Sequence, residues 1–386
     1  MRFEGGTFDE KQARTGDHDG ATGSLERDGA GRVGRREFLA AGGTAATLAA
    51  AGCVGGGSDG GSLTVSTWSG ANEEVFRETI KPMYEERTGN GLEVVGSWTN
   101  ILGQLRQSPS DDPPFDLTVG SSRDHYLGTQ DELWEPIRYE NVPNAETIKP
   151  AVQGNLDSDL GVPVAYGIMG YAYDADAVDF QLESWRDLTA EDVDLDFALP
   201  GAYFFNAVIM SAIAADEAPM AEEMYDEDQR DAIFDTLSEM PVAKFYEGAE
   251  DMWTSMSGGI ADVGQYFYAY SRRRDENDPE LNVGFHVPDR TLGYVDHYQV
   301  ARGSSNRQQA EEFIDFLLDE EVQTAYAEAF NLGMANENAD HPEATREEVP
   351  IENDELDEGI VFKQYSRVAE VASDLDERFK RFQNQF

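Results

Sequence analysis

Residues 162–173 read Val-Pro-Val-Ala-Tyr-Gly-Ile-Met-Gly-Tyr-Ala-Tyr, an extended run without a charged side chain. Such a run suits a crossing between two halves of a fold, and each flank shows its own alternation of strand and helix. Before it, 63–68 reads as a buried strand and 72–88 as a helix. Val75, Phe76, Ile80, Met83 and Tyr84 lie on one side of that helix, and Gly89-Asn90 stops it. Pro82 is expected to kink or split it. Strands at 92–95 and 115–120 bracket a short helix at 101–107. After the run come a strand at 195–199, helices at 203–215 and 226–240, and strands at 261–267, 281–287 and 293–300. Ser305 with Gln308 resembles a capping box before the stripe Ala310, Phe313, Ile314 and Leu317. A second helix follows with Val322, Tyr326, Ala329 and Phe330. An acidic connector at 338–358 leads to a last helix carrying Tyr365, Val368, Ala372, Leu375, Phe379 and Phe382. Alternation of this kind predicts mostly parallel sheets with covered faces. About 330 residues exceed one usual core, so two lobes are expected. The lone cysteine allows no disulfide within the chain.

The chain begins differently. Arg35-Arg36 precede Phe38-Leu39, then a weakly apolar alanine-rich stretch ends in Leu48-Ala49-Ala50-Ala51-Gly52-Cys53. Paired arginines before such a stretch mark twin-arginine export, and the segment is a removable address. Residues 1–52 are read as a signal peptide, Cys53 as its lipidation point, and 53–62 as a flexible glycine-serine tether. Ala50 stands where lipoprotein signals usually carry leucine. The expectation is a protein anchored to the outer face of the cytoplasmic membrane.

Net charge is −47, from 29 basic and 76 acidic side chains, and only six residues are lysine. In dilute buffer that charge repels itself. In molar salt the Debye length shrinks to roughly 3 Å and the repulsion largely vanishes. The acidity therefore reads as adaptation to very high salinity, as in a halophilic archaeon. A nucleic-acid partner is excluded, because phosphate binding needs clustered Lys and Arg. The one basic cluster, Arg272-Arg273-Arg274, runs straight into Asp275 and Glu276.

Several stretches resemble the type 2 extracellular solute-binding proteins of ABC importers, nearest the spermidine/putrescine-binding branch. They are Gly293-Tyr294-Val295-Asp296-His297-Tyr298-Gln299-Val300, Ser305-Asn306-Arg307-Gln308-Gln309-Ala310, Phe313-Ile314-Asp315-Phe316-Leu317-Leu318, and Gly333 with Asn336. Trp68, Ser121-Ser122, Tyr166 and Ser184-Trp185-Arg186-Asp187-Leu188 add to the likeness. Tyr294 stands where tryptophan is usual, and Ala335 where proline is expected. The resemblance implies an α/β, two-lobed fold of the periplasmic-binding-protein kind. Residues 63–166 plus 301–386 would form lobe 1 and 167–300 lobe 2, with hinge crossovers between them. It implies a monomer that is not an enzyme and needs no cofactor, closing on a small solute and passing it to a membrane permease. Carried over position by position, Trp68, Ser69, Ser121, Ser122, Tyr166, Tyr203, Tyr266, Tyr294 and Asp296 would contact the solute.

One pair stands on geometry alone. Residues two apart on a strand share a face, so Tyr294 and Asp296 aim together and His297 does not. An aromatic face beside a carboxylate suits a cationic amine, at about 0.5–2 kcal/mol for the cation–π part. The stretch from Leu199 to Asn206 carries no acid where the resembling family grips an amine. That leaves a zwitterion, a single amine, a thiamine-like solute or an uncharged one open. Tyr266, Tyr268 and Tyr270 would share a face if extended, which keeps ferric ion as an alternative. No histidine shows metal-site spacing, and His125 and His297 are read as surface residues. No nucleophile elbow or phosphate loop is present, so a secreted hydrolase and a surface-interaction protein are the remote alternatives.

Overall fold

The computed structural model describes residues 62–97, 100–154, 158–201, 204–215, 225–277 and 282–386. These belong to one unit, Ser58–Phe386. Arg35, Arg36, Cys53 and Tyr203 lie outside the described residues, as does all but the end of the expected tether.

The strands are β1 (Leu63–Trp68), β2 (Leu92–Ser97), β3 (Leu117–Gly120), β4 (Val162–Asp174), β5 (Phe197–Pro200), β6 (Val242–Tyr246), β7 (Val263–Phe267), β8 (Val283–His286), β9 (Thr291–Val300), β10 (Gly333–Met334) and β11 (Ile360–Phe362). The helices are α1 (Ala71–Val75), α2 (Lys81–Thr88), α3 (Ile101–Gln107), α4 (Ser122–Gln130), α5 (Pro150–Gln153), α6 (Phe204–Ala215), α7 (Arg230–Glu239), α8 (Ala249–Ser257), α9 (Tyr268–Asn277), α10 (Arg307–Leu317), α11 (Glu320–Phe330), α12 (Glu343–Glu348), α13 (Asn353–Gly359) and α14 (Tyr365–Gln383).

The uncharged run becomes β4, whose first eleven residues are buried. Its first half pairs with β9 and its second half with β7 and β8, so one strand serves both halves of the fold. The register shifts between Pro163 and Ala165, where the proline has no N–H to give to the ladder. The order β2-β1-β3-β9-β4-β7-β5-β6 is mixed, which corrects the expectation of mostly parallel sheets. β1 runs parallel to β2 and β3, and β5 parallel to β6 and β7. β9 and β4 pair antiparallel to each other and to their neighbours β3 and β7. Crossover helices sustain the parallel outer strands, whereas the two central strands run between halves in opposite senses.

The helix expected at 72–88 is split ahead of Pro82. One π-helical turn, Phe76–Ile80, separates α1 from α2, and the proline sits in the first turn of α2, where its missing N–H costs least. The box expected from Ser305 and Gln308 does not form: α10 starts after Asn306, and Gln308 bonds Glu312. The last helix departs from its expected place with residues 301–386 in lobe 1. α14 buries Val368, Leu375, Phe379 and Phe382 in the cluster that holds Val208, Ile209 and Ile233 of α6 and α7. An apolar face reveals that a helix docks, not which of two cores it docks on.

Glu311 of α10 is fully buried and holds the loop after α4. Arg138 Nε donates to it at 2.8 Å, Asn141 at 2.7 Å and Arg307 Nε at 3.2 Å. Burial alone would push its carboxyl up, but the bonds from Arg138 and Asn141 and the Arg138 charge hold it below its ordinary value. Glu311→Ala leaves Arg138 and Asn141 without their shared acceptor, while Arg307 keeps Glu135 and the Pro136 carbonyl. It is expected to cost about 1.5–3 kcal/mol in chemical denaturation at high salt, and a change within error would contradict the role.

Candidate functional site

β1 and β3 are parallel, with Ser66 level with Thr118, and Gly120 lies opposite His297 of β9. Their carboxyl ends therefore open beside the middle of β9, the kind of crevice where open α/β sheets take ligands. There Trp68 Nε1 donates to Asp296 Oδ1 at 2.9 Å. Alternation holds along β9. Tyr294, Asp296 and Tyr298 take one face, while His297 meets Ser122 and Gln299 meets His125 on the other.

Asp296 is 4% exposed, and among the described residues its partner is that single indole. Among the described residues no basic group pairs with it. Burial pushes its carboxyl up to about 7, the indole bond holding it down in part. The hydroxyls of Tyr294 and Tyr326 are raised by burial and next by the Asp296 charge. Behind this acid lies an ordered wall. Thr67 Oγ1 donates to Asn72 Oδ1, and Asn72 Nδ2 donates to the Tyr326 hydroxyl at 2.6 Å. Phe76 stacks on Tyr298 at 6.1 Å and meets Tyr326 edge-on at 5.7 Å. Tyr294 meets Phe267 edge-on at 5.3 Å. Gly167, level with Tyr294 on β4, makes room for it: a Cβ there would lie 2.2 Å from the phenol oxygen.

The expected contacts thus divide. Trp68, Tyr294 and Asp296 come together, and Ser69 follows Trp68 partly exposed. Ser121 is the N-cap of α4, bonding Asp124 at 2.7 Å, and Ser122 faces His297 at 3.3 Å, so both hydroxyls have protein partners away from Asp296. Tyr166 is fully buried, donating to the Pro350 carbonyl at 2.9 Å with its ring laid over Gly333. It offers structure to the β4 crossing rather than a surface to a solute. Tyr266 is buried against Trp253. Tyr268 and Tyr270 open α9 instead of extending β7, so the three tyrosines do not share a strand face. His125 and His297 are buried, which corrects their reading as surface residues. Sequence reasoning missed Asn72, Tyr298 and Tyr326. The two-residue period could have found Tyr298, whereas Tyr326 looked like one more member of an apolar helical stripe.

Among the described residues no three His, Cys, Asp or Glu side chains form a group able to hold a metal, and no helix is long and apolar enough to cross a membrane. A separate open groove of about 800 Å³ is lined by Arg186, Arg290, Arg346, Glu348, Glu355 and Glu358 among others. Its charges of both signs stand near one another, unlike the isolated acid at Asp296.

No curated protein matches the chain in sequence. Solved structures do match its fold. An ABC transporter protein from Clostridium perfringens is 22% identical, with TM-score 0.66, over 83% of this chain and 99% of that one. The spermidine/putrescine ABC transporter substrate-binding protein PotD from Streptococcus pneumoniae, in complex with calcium and HEPES, is 17% identical, with TM-score 0.69, over 84% and 98%. The TpPotD lipoprotein of Treponema pallidum is 17% identical, with TM-score 0.63, over 83% and 98%. These likenesses establish the fold. Residues 80–352 match the family described as bacterial extracellular solute-binding protein, and the chain belongs to that family.

Proposed function

We propose that this solute-binding protein takes a small amine at Asp296 and delivers it to an ABC permease. The observation that carries the reading is a carboxylate almost wholly out of water with one neutral hydrogen bond and no cation. A buried charge left this way is costly, and an ammonium group relieves the cost through ionic hydrogen bonds. Trp68 and Tyr294 add aromatic faces, worth about 0.5–2 kcal/mol each toward a cation. In molar salt long-range steering is screened, so recognition rests on these dry, short-range contacts. The two halves that share β4 act as jaws, the second including α14, and their closure is the state the permease reads. The export and anchoring signals at Arg35, Arg36 and Cys53 are consistent with work outside the membrane in brine.

The raised Asp296 carboxyl sets the pH dependence. An amine needs the ionised form, so affinity is expected to climb about tenfold per pH unit up to about pH 7 and then level off. The stability of the unliganded protein moves the other way. A folded value above the unfolded one means that this group's contribution is full below about pH 4 and is lost as pH rises through 7. Calorimetry with a panel of small amines, a monoamine, 4-aminobutanoate and putrescine among them, in molar salt from pH 5 to 9 tests the proposal. Affinity independent of pH, or no binding at any pH, would overturn it.

A further inference from the structure

Lys363 lies one residue beyond β11, which runs parallel to β9 with Phe362 level with Gly293. Continuing that register puts Lys363 level with Tyr294, on the face that Tyr294 shares with Asp296. The acid sits two residues further along β9, roughly 7 Å of strand rise, and one strand spacing of about 4.8 Å to the side.

Among the described residues no carboxylate pairs with Lys363. Its ammonium donates to Asn206 Oδ1 at 3.0 Å, leaving two of its three N–H donors unused. Asn206, in the first turn of α6, is 4% exposed, and its backbone oxygen accepts from Gln265 Nε2 at 3.1 Å. Its own amide N–H group has no partner among the described residues. Beyond that one bond, Lys363 and the Asn206 amide keep N–H donors that meet no acceptor among the described residues, in a chain where acidic residues outnumber basic ones more than two to one. In so acidic a protein an unpaired, half-buried lysine is the group that asks for an explanation.

Resting on the amine reading of Asp296, we infer that the solute is a zwitterion, its amine held at Asp296 and its carboxylate at Lys363 and Asn206. A diamine would bring a second cation against the lysine and is excluded by repulsion and by the unmet donors. An ω-amino acid satisfies both ends, and one backbone face of β9 with its neighbour β11 presents the two charges in line. Burial also pulls the Lys363 ammonium down to about 8, a cost that an incoming carboxylate removes.

The test is calorimetry in molar salt at pH 7.5 with 4-aminobutanoate, 5-aminopentanoate and 6-aminohexanoate against the diamines of the same lengths. The variants are Lys363→Met, Lys363→Arg and Asp296→Asn, with thermal melts confirming that each is folded. The expected result is an amino acid bound at least about tenfold more tightly than its matching diamine. Lys363→Met is expected to lose about 10- to 100-fold for the amino acid and to narrow or reverse the preference, while Lys363→Arg keeps it. Preference for diamines that is unchanged in Lys363→Met, with Asp296→Asn still weakening them, overturns the zwitterion and leaves the amine reading standing. Absence of binding by every probe, or no effect of Asp296→Asn on any of them, overturns both.

Discussion

Asp296→Asn is expected to weaken binding of the amine by about 30-fold or more while making the unliganded protein more stable above pH 7. The two effects have one origin. Asparagine keeps the size of the aspartate and an oxygen for the Trp68 indole, so the 2.9 Å bond survives. What disappears is a charge held out of water. In the complex that charge meets an ammonium, and losing one partner of a buried, hydrogen-bonded charge pair costs about 2 kcal/mol or more. In the free protein the same charge faces no cation, and its burial has pushed its carboxyl up to about 7. Removing it spares the free fold a desolvation cost at any pH where the acid would ionise. Titration calorimetry and thermal melts at pH 8 in molar salt read both signs. A variant less stable and equally tight in binding would contradict the account. So would one altered in neither property.

Phe76→Ala is expected to be the most damaging of the core substitutions next to the site. Phe76 lies in the π-helical turn between α1 and α2 and is fully buried. Its ring fills the space between Tyr298 on β9 and Tyr326 on α11. Truncation leaves a cavity that neither tyrosine can easily collapse into, because Tyr326 is tied to Asn72 by a 2.6 Å bond. The expected loss is about 3–5 kcal/mol. Tyr298 shares its face with Asp296, so the cavity also loosens the wall behind the acid and solute affinity falls with stability. Denaturation in high salt measures the first effect and calorimetry the second. A loss below about 1 kcal/mol would show that the ring is not the keystone assigned here.

Much of this was legible in the residues. The uncharged run at 162–173 announced a strand long enough to serve two halves, because twelve successive residues carry no charged side chain. The pairing of Tyr294 with Asp296 followed from the strand period, which depends only on backbone geometry. Trp68 was placed near them by resemblance alone, since no spacing rule links positions 68 and 296. The mixed pairing of β4 and β9 was not legible, because a buried strand reads the same in either direction. Neither was β6 or α8: both are short, and the four apolar side chains of 242–246 are interrupted by Lys244 and of mixed exposure. Tyr268 and Tyr270 were open to an extended reading because aromatic residues favour strands, yet the four residues that follow, Ser271 to Arg274, carry α9 onward. Lys363 was invisible as a site residue. Its meaning comes from the acid it does not have, and that absence exists only once Asn206, 157 positions away, is beside it.

The central claim is that the solute's amine rests on the Asp296 carboxylate. The most direct measurement is a crystal structure of the protein grown in molar salt with the amine that gives the largest thermal shift. The account predicts the solute nitrogen within about 3 Å of an Asp296 carboxylate oxygen, beside Trp68 and Tyr294. Solute density in the groove lined by Arg186, Arg290 and Glu358, with Asp296 bonded as before to Trp68 alone, would contradict it.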